Sequence, residues 1–358
     1  MKVIAAHLLN DYSGSPKVLM QLLKGWTKNH IQVELYTCEG RKGFLSDIEN
    51  VNYQYFKYTW AKNPFRRLLN LVISQIILAI KIWKTSSRED IIYVNTVLPF
   101  GAALAGRIKG CRVIYHLHET SVKPAILKMF LFGIAKWAAK DIVYVSNYLA
   151  STEPFEGKRI HILHNAIENE FIAKANQLKE EKLGLENILM VCSLKSYKGV
   201  YEFIDLAHSL SDYSFRLVLN AQHEEISSFF NATSIPENVT IYDSQTDLHP
   251  FYKWADLVLN LSRPEEWIET FGLTILEGMA YGNPAIVPPV GGVTELIENE
   301  KNGYRITGRD TESLVHTIQQ MSTDSRLYQS LREHTVEVLK NFKEDYFINQ
   351  NIQILNTK

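Results

Sequence analysis

The chain of 358 residues contains 46% hydrophobic and 22% charged residues, which is typical of a folded globular protein with material for two cores. Its three cysteines, Cys38, Cys111 and Cys192, are far apart. This spacing excludes a disulfide framework and a Cys-x-x-Cys metal site and favours a reducing cytoplasm. The net charge of −1 conceals a split, because residues 1–164 hold 22 Lys and Arg against 11 Asp and Glu, whereas the remainder is acidic.

Short apolar runs rich in β-branched residues alternate with helical patterns along the chain. The first residues, MKVIAAHLLNDYSG, predict a strand and its loop rather than a secretory signal, because they become polar too early. Predicted strands cover residues 2–8, 31–37, 91–95, 112–118, 141–146 and 160–165 in a first set, and 187–194, 215–221, 239–244, 256–262 and 283–289 in a second set. Continuous apolar strands between helices are typical of parallel sheets covered on both faces, so the sequence predicts an α/β protein with two doubly wound domains.

A polar and charged stretch at residues 165–186 separates the two sets of strands. We predict an N-terminal domain of residues 1–165 and a C-terminal domain of residues 166–342. A helical pattern covers roughly residues 325–354, and a C-terminal helix of about residues 343–358 is expected to pack on the first domain.

Two segments of the basic half combine positive charge with apolar residues. Residues 57–88 hold seven basic and no acidic residues around the apolar run 68–80, and residues 121–140 hold four lysines and no acid. Thirteen helical residues cover about 20 Å, short of the ~30 Å hydrocarbon core, so a transmembrane span is not expected. Two explanations remain: buried covering helices with a solvated rim, or helices that lie in a membrane interface. We favour peripheral contact with an anionic membrane surface.

Candidate ligand-binding residues are most concentrated in residues 264–297, whose sequence is PEEWIETFGLTILEGMAYGNPAIVPPVGGVTELI. It predicts a loop with Glu269 after a strand, and then a helix from about Thr274 to Gly282. Such a loop, leading from a parallel strand into a helix N-terminus, is suited to bind an anion. Gly272 would let a ligand approach the backbone, and Gly291-Gly292 opens a second short helix. Two such helix N-termini would suit a diphosphate.

Both carboxylates in this stretch can also be explained without a ligand. Thr274 and Glu277 match a capping box, in which the glutamate only satisfies the start of the helix. Glu269 alone would be a solvated loop acid. The complete set of residues is what favours a ligand site.

Glu269 and Glu277 frame Phe-Gly-Leu and are followed by Gly-Met-Ala-x-Gly-x-Pro. This arrangement resembles the E-x7-E signature of the retaining GT-B glycosyltransferases of glycosyltransferase family 4. Segments YVSNYL (144–149), LHNAIENEF (163–171) and SLKSYKG (193–199) are similar to further segments of that family, in the same order. The resemblance implies a GT-B fold, in which two Rossmann-like doubly wound parallel-sheet domains face a central cleft.

The resemblance also implies roles for individual residues. Glu269 would bind hydroxyl groups of the donor sugar, Glu277 would accept both ribose hydroxyls, and Lys198 would neutralise the diphosphate. His118 matches the N-domain histidine of the family and would lie near the donor sugar, so the predicted catalytic residues are His118 and Glu269. The other implied donor-binding residues are Gly14, Ser193, Phe271, Gly272, Leu273 and Thr274.

Three features qualify these assignments. His116 and His118 share one face of a strand, but no acidic or cysteine partner accompanies them, so a metal site is not expected; a satisfied core histidine is the alternative. Ser193 stands where the family usually has arginine, which removes one expected diphosphate cation, and Lys195 is a candidate replacement. Asn165-Ala166 replaces the family's Asn-Gly.

No Asp-x-Asp motif follows a strand, which argues against a metal-dependent GT-A enzyme. We predict a metal-independent, retaining hexosyltransferase without cofactors, cytoplasmic or peripheral on the inner face of the membrane. It would transfer sugar from a nucleotide-diphosphate sugar to a saccharide acceptor, carried on a lipid such as polyprenyl diphosphate, in polysaccharide or glycan synthesis. The alternatives are a sugar-nucleotide epimerase of the same fold, a catalytically weak nucleotide-sugar-binding protein, and a nucleic-acid-binding protein. The last would interleave aromatics with exposed basic residues, and no nucleic acid partner is expected.

Overall fold

The computed structural model describes residues 1–357, which form two compact units. The first unit comprises Met1–Asn165 and the C-terminal segment that begins at Glu344, and the second comprises Ala166–Lys343. These limits lie within one residue of the predicted domain limits.

A seven-stranded parallel sheet forms the centre of the first unit. Its strands are β1 (Lys2–Ala6), β2 (Gln32–Cys38), β3 (Val51–Phe56), β4 (Ile91–Asn95), β5 (Arg112–Leu117), β6 (Asp141–Tyr144) and β7 (Arg159–Ile162). Their spatial order is β3-β2-β1-β4-β5-β6-β7, so the order reverses beside β1, as in doubly wound folds. Every residue of the central strand β4 is buried, which explains its continuous apolar sequence.

Helices cover both faces of this sheet. They are α1 (Gly14–Lys28), α2 (Pro64–Thr85), α3 (Phe100–Lys109), α4 (Ala125–Ala138) and α5 (Asn147–Thr152). The connections through α2, α3 and α4 all cross the sheet in the same direction, whereas α1 leads the other way. Right-handed crossovers therefore place α2, α3 and α4 on one face and α1 on the other. On the face that the three helices share, α3 packs against both α2 and α4.

Helix α2 is longer than its apolar run suggested. Asn63 accepts hydrogen bonds from the amides of Phe65 (3.0 Å) and Arg66 (3.2 Å), and Pro64 occupies the first turn, so the helix has a well-formed start. Its 22 residues correspond to about 33 Å. Among the described residues, it is the helix that is long and apolar enough to cross a membrane by length and composition alone, with 28% of that stretch buried.

The second unit contains a six-stranded parallel sheet. Its strands are β8 (Asn187–Ser193), β9 (Ser214–Asn220), β10 (Val239–Tyr242), β11 (Leu257–Leu259), β12 (Ala285–Val287) and β13 (Gly303–Arg305), in the spatial order β10-β9-β8-β11-β12-β13. Its helices are α6 (Asn169–Leu178), α7 (Val200–Ser209), α8 (His223–Phe229), α9 (His249–Trp254), α10 (Leu273–Met279), α11 (Thr311–Thr323) and α12 (Ser325–Leu339). Phe203, Phe215 and Tyr328 are fully buried in its core.

The prediction of one long helix over residues 325–354 is wrong, because two helices occupy this region. α12 ends at Leu339, a short 3-10 turn covers Lys340–Phe342, and α13 (Glu344–Asn356) follows. α13 belongs to the first unit, where it packs on α1.

Asn351 fixes α13 in the first unit. Its side chain is fully buried, accepts a hydrogen bond from Trp26 Nε1 (3.0 Å) and donates one to the Tyr93 hydroxyl (2.9 Å). Because both partners are also buried, loss of this amide would leave two polar groups without their partner.

We therefore expect Asn351→Ala to lower the free energy of unfolding by about 2–4 kcal/mol. Urea titration followed by tryptophan fluorescence and circular dichroism would measure it. Gln353→Ala, at an exposed position of the same helix, is the control and should change stability by less than about 0.5 kcal/mol. An unchanged urea midpoint for Asn351→Ala would show that the amide does not anchor α13.

Candidate active site

Lys198 and Glu269 are distant in sequence but touch in the second unit. The Lys198 ammonium forms an ion pair with Glu269 Oε1, and the two side chains are only 14% and 17% exposed. Ser262 Oγ donates a hydrogen bond of 2.9 Å to the same carboxylate oxygen. The Lys198 ammonium also lies over the Trp267 ring, 5.2 Å from its centroid. The predicted diphosphate cation and the predicted sugar-binding carboxylate therefore belong to one cluster.

The backbone holds Lys198 in a tight turn at the carboxyl end of β8. Lys198 ends the 3-10 turn Ser196–Lys198, and Gly199 follows with φ of 79°, a left-handed conformation that favours glycine. The Tyr197 ring stacks on Trp267 with a centroid distance of 5.3 Å. Its carbonyl accepts a hydrogen bond from the Arg263 amide at 2.8 Å. These contacts tie the turn to the loop that carries Glu269.

Gly272 sets the geometry between Glu269 and α10. Its φ is 112°, and a Cβ atom at this position would approach Val293 Cγ2 to 2.7 Å, so the position requires glycine. The second glycine pair meets the same loop, since the Gly292 amide donates to the Glu269 carbonyl at 2.7 Å. The loop containing Glu269 and the loop at Gly291-Gly292 therefore pack together.

The capping-box explanation of Glu277 is wrong in the structure. The N-cap of α10 is Gly272, which has no side chain to form a cap, and Glu277 is 6% exposed. Glu277 Oε2 instead accepts a hydrogen bond of 2.8 Å from the hydroxyl of the fully buried Tyr252. Burial and the neighbouring carboxylate hold the pKa of Tyr252 well above its usual value, so the hydroxyl keeps its proton and remains the donor. Tyr252 thus orients the Glu277 carboxylate.

The other predicted residues of the second unit lie around this cluster. Gly272, Leu273 and Thr274 are partly exposed at the start of α10. The Phe271 side chain is 3% exposed and packs on Phe342, so only its backbone could serve a ligand. Ser193 is the last residue of β8 and is half-buried, and Lys195 is exposed beyond it.

His118 and Gly14 both approach Asn95 in the first unit. His118 Nε2 lies 2.8 Å from Asn95 Oδ1, and Asn95 Nδ2 donates to the carbonyl of Ser15 at 3.0 Å. Gly14 precedes Ser15 as the exposed first residue of α1. Asn95 therefore brings the predicted histidine and the predicted glycine loop together.

Asn95 also determines which nitrogen of His118 carries the proton. A carbonyl oxygen only accepts, so the bond to Ser15 identifies the Asn95 amide nitrogen and leaves Oδ1 facing the imidazole. His118 Nε2 must then be the donor, and in the neutral ring Nδ1 is the acceptor. Burial, followed by the neighbouring His116 and His7, holds the pKa of His118 well below 6.5, so the ring is neutral at physiological pH.

His7, His116 and Glu119 complete the surroundings of His118. Burial lowers the pKa of His7 to about 4 and that of His116 to about 3, so neither ring is charged at neutral pH. Burial raises the pKa of Glu119 to about 7, against hydrogen bonds from the amides of Val97 and His118. The His116 and His118 rings lie 4.3 Å apart, and among the described residues no group of three His, Cys, Asp or Glu side chains is arranged to hold a metal ion.

Five residues of these surroundings were not predicted from the sequence: Asn95, His7, Tyr252, Ser262 and Trp267. Asn95 and His7 could have been found, because each polar residue ends or directly follows a buried strand at the edge that also carries His118. Tyr252 gave no signal, since it belongs to an ordinary apolar helix pattern.

Two family models together match nearly the whole chain, and known proteins are similar to most of it. The family model described as Glycosyltransferase Family 4 matches residues 12–171, and that of Glycosyl transferases group 1 matches residues 170–338. N-acetyl-alpha-D-glucosaminyl L-malate synthase of Bacillus anthracis is 26% identical in an alignment of 298 residues that covers 76% of each protein. A protein of 41.2 kDa in the cps region of Klebsiella pneumoniae is 24% identical over 274 residues, covering 69% of this chain and 71% of that protein.

Solved structures show the same fold. Anabaena HepE, in complex with UDP and glucose, superimposes with a TM-score of 0.80 over 100% of both chains at 19% identity. Sucrose-phosphate synthase from Thermosynechococcus elongatus gives a TM-score of 0.79 at 16% identity, covering 99% of this chain and 98% of that one. The predicted GT-B fold class is thereby confirmed. Since the two family models together match residues 12–338, the chain belongs to the GT-B glycosyltransferases of the family 4 type.

Proposed function

We propose that this glycosyltransferase transfers a sugar, with retention of its anomeric configuration, from a nucleotide-diphosphate sugar to a saccharide acceptor. The observation that carries the proposal is the contact of Lys198 with Glu269 in the unit that also holds Glu277. A cation for the diphosphate, a carboxylate for the sugar and a carboxylate for the ribose are the groups that such a donor needs. The complexes of HepE with UDP and with UDP-glucose support this class of donor.

Lys198 and Glu269 would exchange partners when the donor binds. The diphosphate would attract the Lys198 ammonium, and the Glu269 carboxylate would then accept hydrogen bonds from sugar hydroxyls. Lys198 would stabilise the negative charge that develops on the leaving nucleoside diphosphate. A protein cation in this role is the basis for proposing that transfer is independent of metal ions.

Retention is proposed to proceed by attack on the face from which the diphosphate leaves. The bond between the anomeric carbon and the phosphate oxygen breaks, the bond to the acceptor hydroxyl oxygen forms, and the acceptor proton passes to the donor phosphate. His118 is proposed to hold the sugar through its Nδ1 acceptor, which a neutral ring provides. The histidine is thus a hydrogen-bonding group in the transition state and not a source of positive charge.

The acceptor is proposed to be a saccharide carried on a lipid, such as polyprenyl diphosphate, used at the cytoplasmic face of a membrane in polysaccharide or glycan assembly. The positive charge of residues 1–164 supports an anionic acceptor. The exposed apolar helices of the first unit, described below, support a lipid.

The nucleotide requirement can be tested by thermal shift with UDP, GDP, dTDP and their sugars, in the presence of a chelator. We expect stabilisation by one nucleotide class, because a ligand that binds only the folded protein raises the melting temperature. Glu277→Ala should weaken binding of that nucleotide about 10- to 100-fold, since it removes hydrogen bonds to a charged group. Tyr252→Phe, which keeps the carboxylate, should weaken it less. No response to any nucleotide would refute the proposal, and conversion of the donor to an epimer without an acceptor would favour the epimerase.

Glu269→Gln should separate recognition of the sugar from recognition of the nucleotide. Loss of the carboxylate should lower the slow hydrolysis of the donor by about 100-fold or more, because charge near the reacting sugar is lost. Affinity for the free nucleoside diphosphate, measured by calorimetry, should change by less than about threefold, since Lys198 remains available. Equal losses in both measurements would mean that Glu269 does not act on the sugar.

Asn95→Asp tests whether Asn95 positions the neutral tautomer of His118. A carboxylate beside Nε2–H stabilises the imidazolium, so the variant should raise the pKa of His118 toward or above 6.5, and donor hydrolysis should fall as the pH decreases through that value. Nitrogen NMR of ¹⁵N-histidine-labelled protein should show the wild-type ring neutral and protonated at Nε2, and the variant ring titrating. Asn52→Asp, at an exposed position, is the charge-matched control. A wild-type ring protonated at Nδ1 would contradict this assignment.

A further inference from the structure

Helix α2 exposes large apolar side chains and buries two polar ones. Its buried positions include Ser74 and Gln75. Ser74 Oγ donates a hydrogen bond to the Leu71 carbonyl (2.6 Å), and Gln75 Oε1 accepts one from the Gly101 amide (3.0 Å). Its exposed positions are occupied by large apolar residues, of which Phe65 is 85% exposed. Others are Leu69 at 57%, Ile76 at 55% and Ile73 at 47% exposed. The exposed side of this helix is therefore largely apolar, which is typical of a surface that binds a partner or a membrane.

Helix α4 extends the same apolar surface. Ile126 is 81% and Met129 74% exposed, and only three of its fourteen residues are buried. α3 lies between α2 and α4 and contacts both, and Phe100 of α3 packs edge-on against Phe130 of α4. We call the exposed residues Phe65, Leu69, Ile73, Ile76, Ile126 and Met129 the apolar face.

Positive charge surrounds the apolar face. Helices α2, α3 and α4 contain eight Lys and Arg residues and no Asp or Glu. Within residues 1–357, none of the seven basic side chains between Lys57 and Arg88 forms an ion pair with a carboxylate. Lys128 of α4 does so, with Glu153. Burial lowers the pKa of Lys158, and the nearby positive charges of Arg107 and Lys136 lower it further.

Three tryptophans within or next to helices α2 and α4 each have a cationic side chain over the ring. Arg67 lies over Trp60 (5.7 Å), Lys109 over Trp83 (5.5 Å) and Arg107 over Trp137 (5.8 Å). The three rings are about half exposed. Tryptophan, lysine and arginine are the residues that proteins place where hydrocarbon meets lipid headgroups.

The connections of α2 decide how it would meet a bilayer. β3 ends at Phe56 before the helix, and β4 begins at Ile91 after it, and both strands belong to one parallel sheet. A helix that spans a bilayer delivers its two ends to opposite sides, which short links of this kind to one sheet do not allow. At a bilayer α2 would therefore lie along the surface, where an amphipathic helix buries its apolar side chains about 5–10 Å deep.

We infer that the apolar face docks into the headgroup–acyl boundary of a membrane rich in anionic lipids. The combination of exposed apolar side chains with eight basic residues and no acidic residue on α2, α3 and α4 complements such a surface. A second copy of the chain would bring like charges together. The identity of the lipid-linked acceptor rests on the proposed function, whereas docking itself does not.

Flotation of the full-length protein with vesicles tests this inference. We expect binding to phosphatidylcholine vesicles that contain phosphatidylglycerol, and much weaker binding to phosphatidylcholine alone. Leu69→Ser with Ile76→Ser on α2, and Ile126→Ser with Met129→Ser on α4, should each lower binding about tenfold or more, because apolar burial is lost. Leu183→Ser, 78% exposed in the second unit, is the matched control and should bind like the wild type.

Charge and folding are checked with the same samples. Lys81→Gln with Lys84→Gln should lower binding to anionic vesicles by about fivefold per lysine, and added salt should do the same. Unchanged circular dichroism melts will show that the variants fold. Nucleotide-induced thermal shifts separate this inference from the proposed function, because either result can fail alone.

Either of two kinds of result would overturn the inference, one from the vesicle assay and one from the oligomeric state. One is wild-type protein that does not bind anionic vesicles, or apolar variants that bind as well as the wild type. The other is a dimer in analytical ultracentrifugation that the apolar substitutions dissociate, which would assign the face to a second copy.

Discussion

Parallel strand pairing is the constraint on which the rest of the structure depends. In a parallel sheet all carboxyl ends lie at one edge, so residues distant in the chain meet there. β4 and β5 bring Asn95 and His118 together, and β8 and β11 do the same for the Lys198 turn and the loop that carries Glu269. The same pairing buries the strands on both faces beneath covering helices. The loops that lead from the strands into these helices lie at the edge that carries the functional residues.

The two units control charge in opposite ways. The first unit keeps His7, His116 and His118 neutral by burial, and a single amide, Asn95, sets the hydrogen bonding of His118. The second unit keeps Lys198 and Glu269 as a charged pair with a hydroxyl donor and an aromatic ring around them. A neutral hydrogen-bonding group suits the uncharged hydroxyls of a sugar. An ion pair suits a nucleotide-sugar ligand, because its diphosphate can pair with Lys198 while its sugar hydroxyls donate hydrogen bonds to the released Glu269 carboxylate.

The sequence was sufficient where one physical cause acts locally. The strand at residues 91–95 was predicted with its observed limits, because a central strand is apolar throughout. β3 was missed, since its sequence VNYQYF lies at the sheet edge, is mostly solvent-accessible and carries no apolar run. β13, with three residues, is too short for a periodic signal.

Contacts between distant residues explain what could not be predicted in the site. Glu277 matched a capping box in sequence, and only the position of Tyr252 on another helix shows that its carboxylate is held differently. The ion pair of Lys198 with Glu269 depends on how two loops pack, which no local pattern describes. The length of α2 was underestimated because only its apolar centre was counted, whereas Asn63 and Pro64 begin the helix outside that run.

The charge split poses a question, since the acidic half is the one proposed to bind an anionic nucleotide. Net charge acts over long distances and is screened beyond about 8 Å at physiological ionic strength, whereas Lys198 and the backbone amides near Gly272 would act within hydrogen-bonding range. Local groups can therefore bind an anion in an acidic unit. At an anionic membrane the same split has a directional effect: the basic unit is attracted and the acidic unit repelled. Charge thus favours the orientation in which the apolar face meets the lipid, before any apolar side chain is buried.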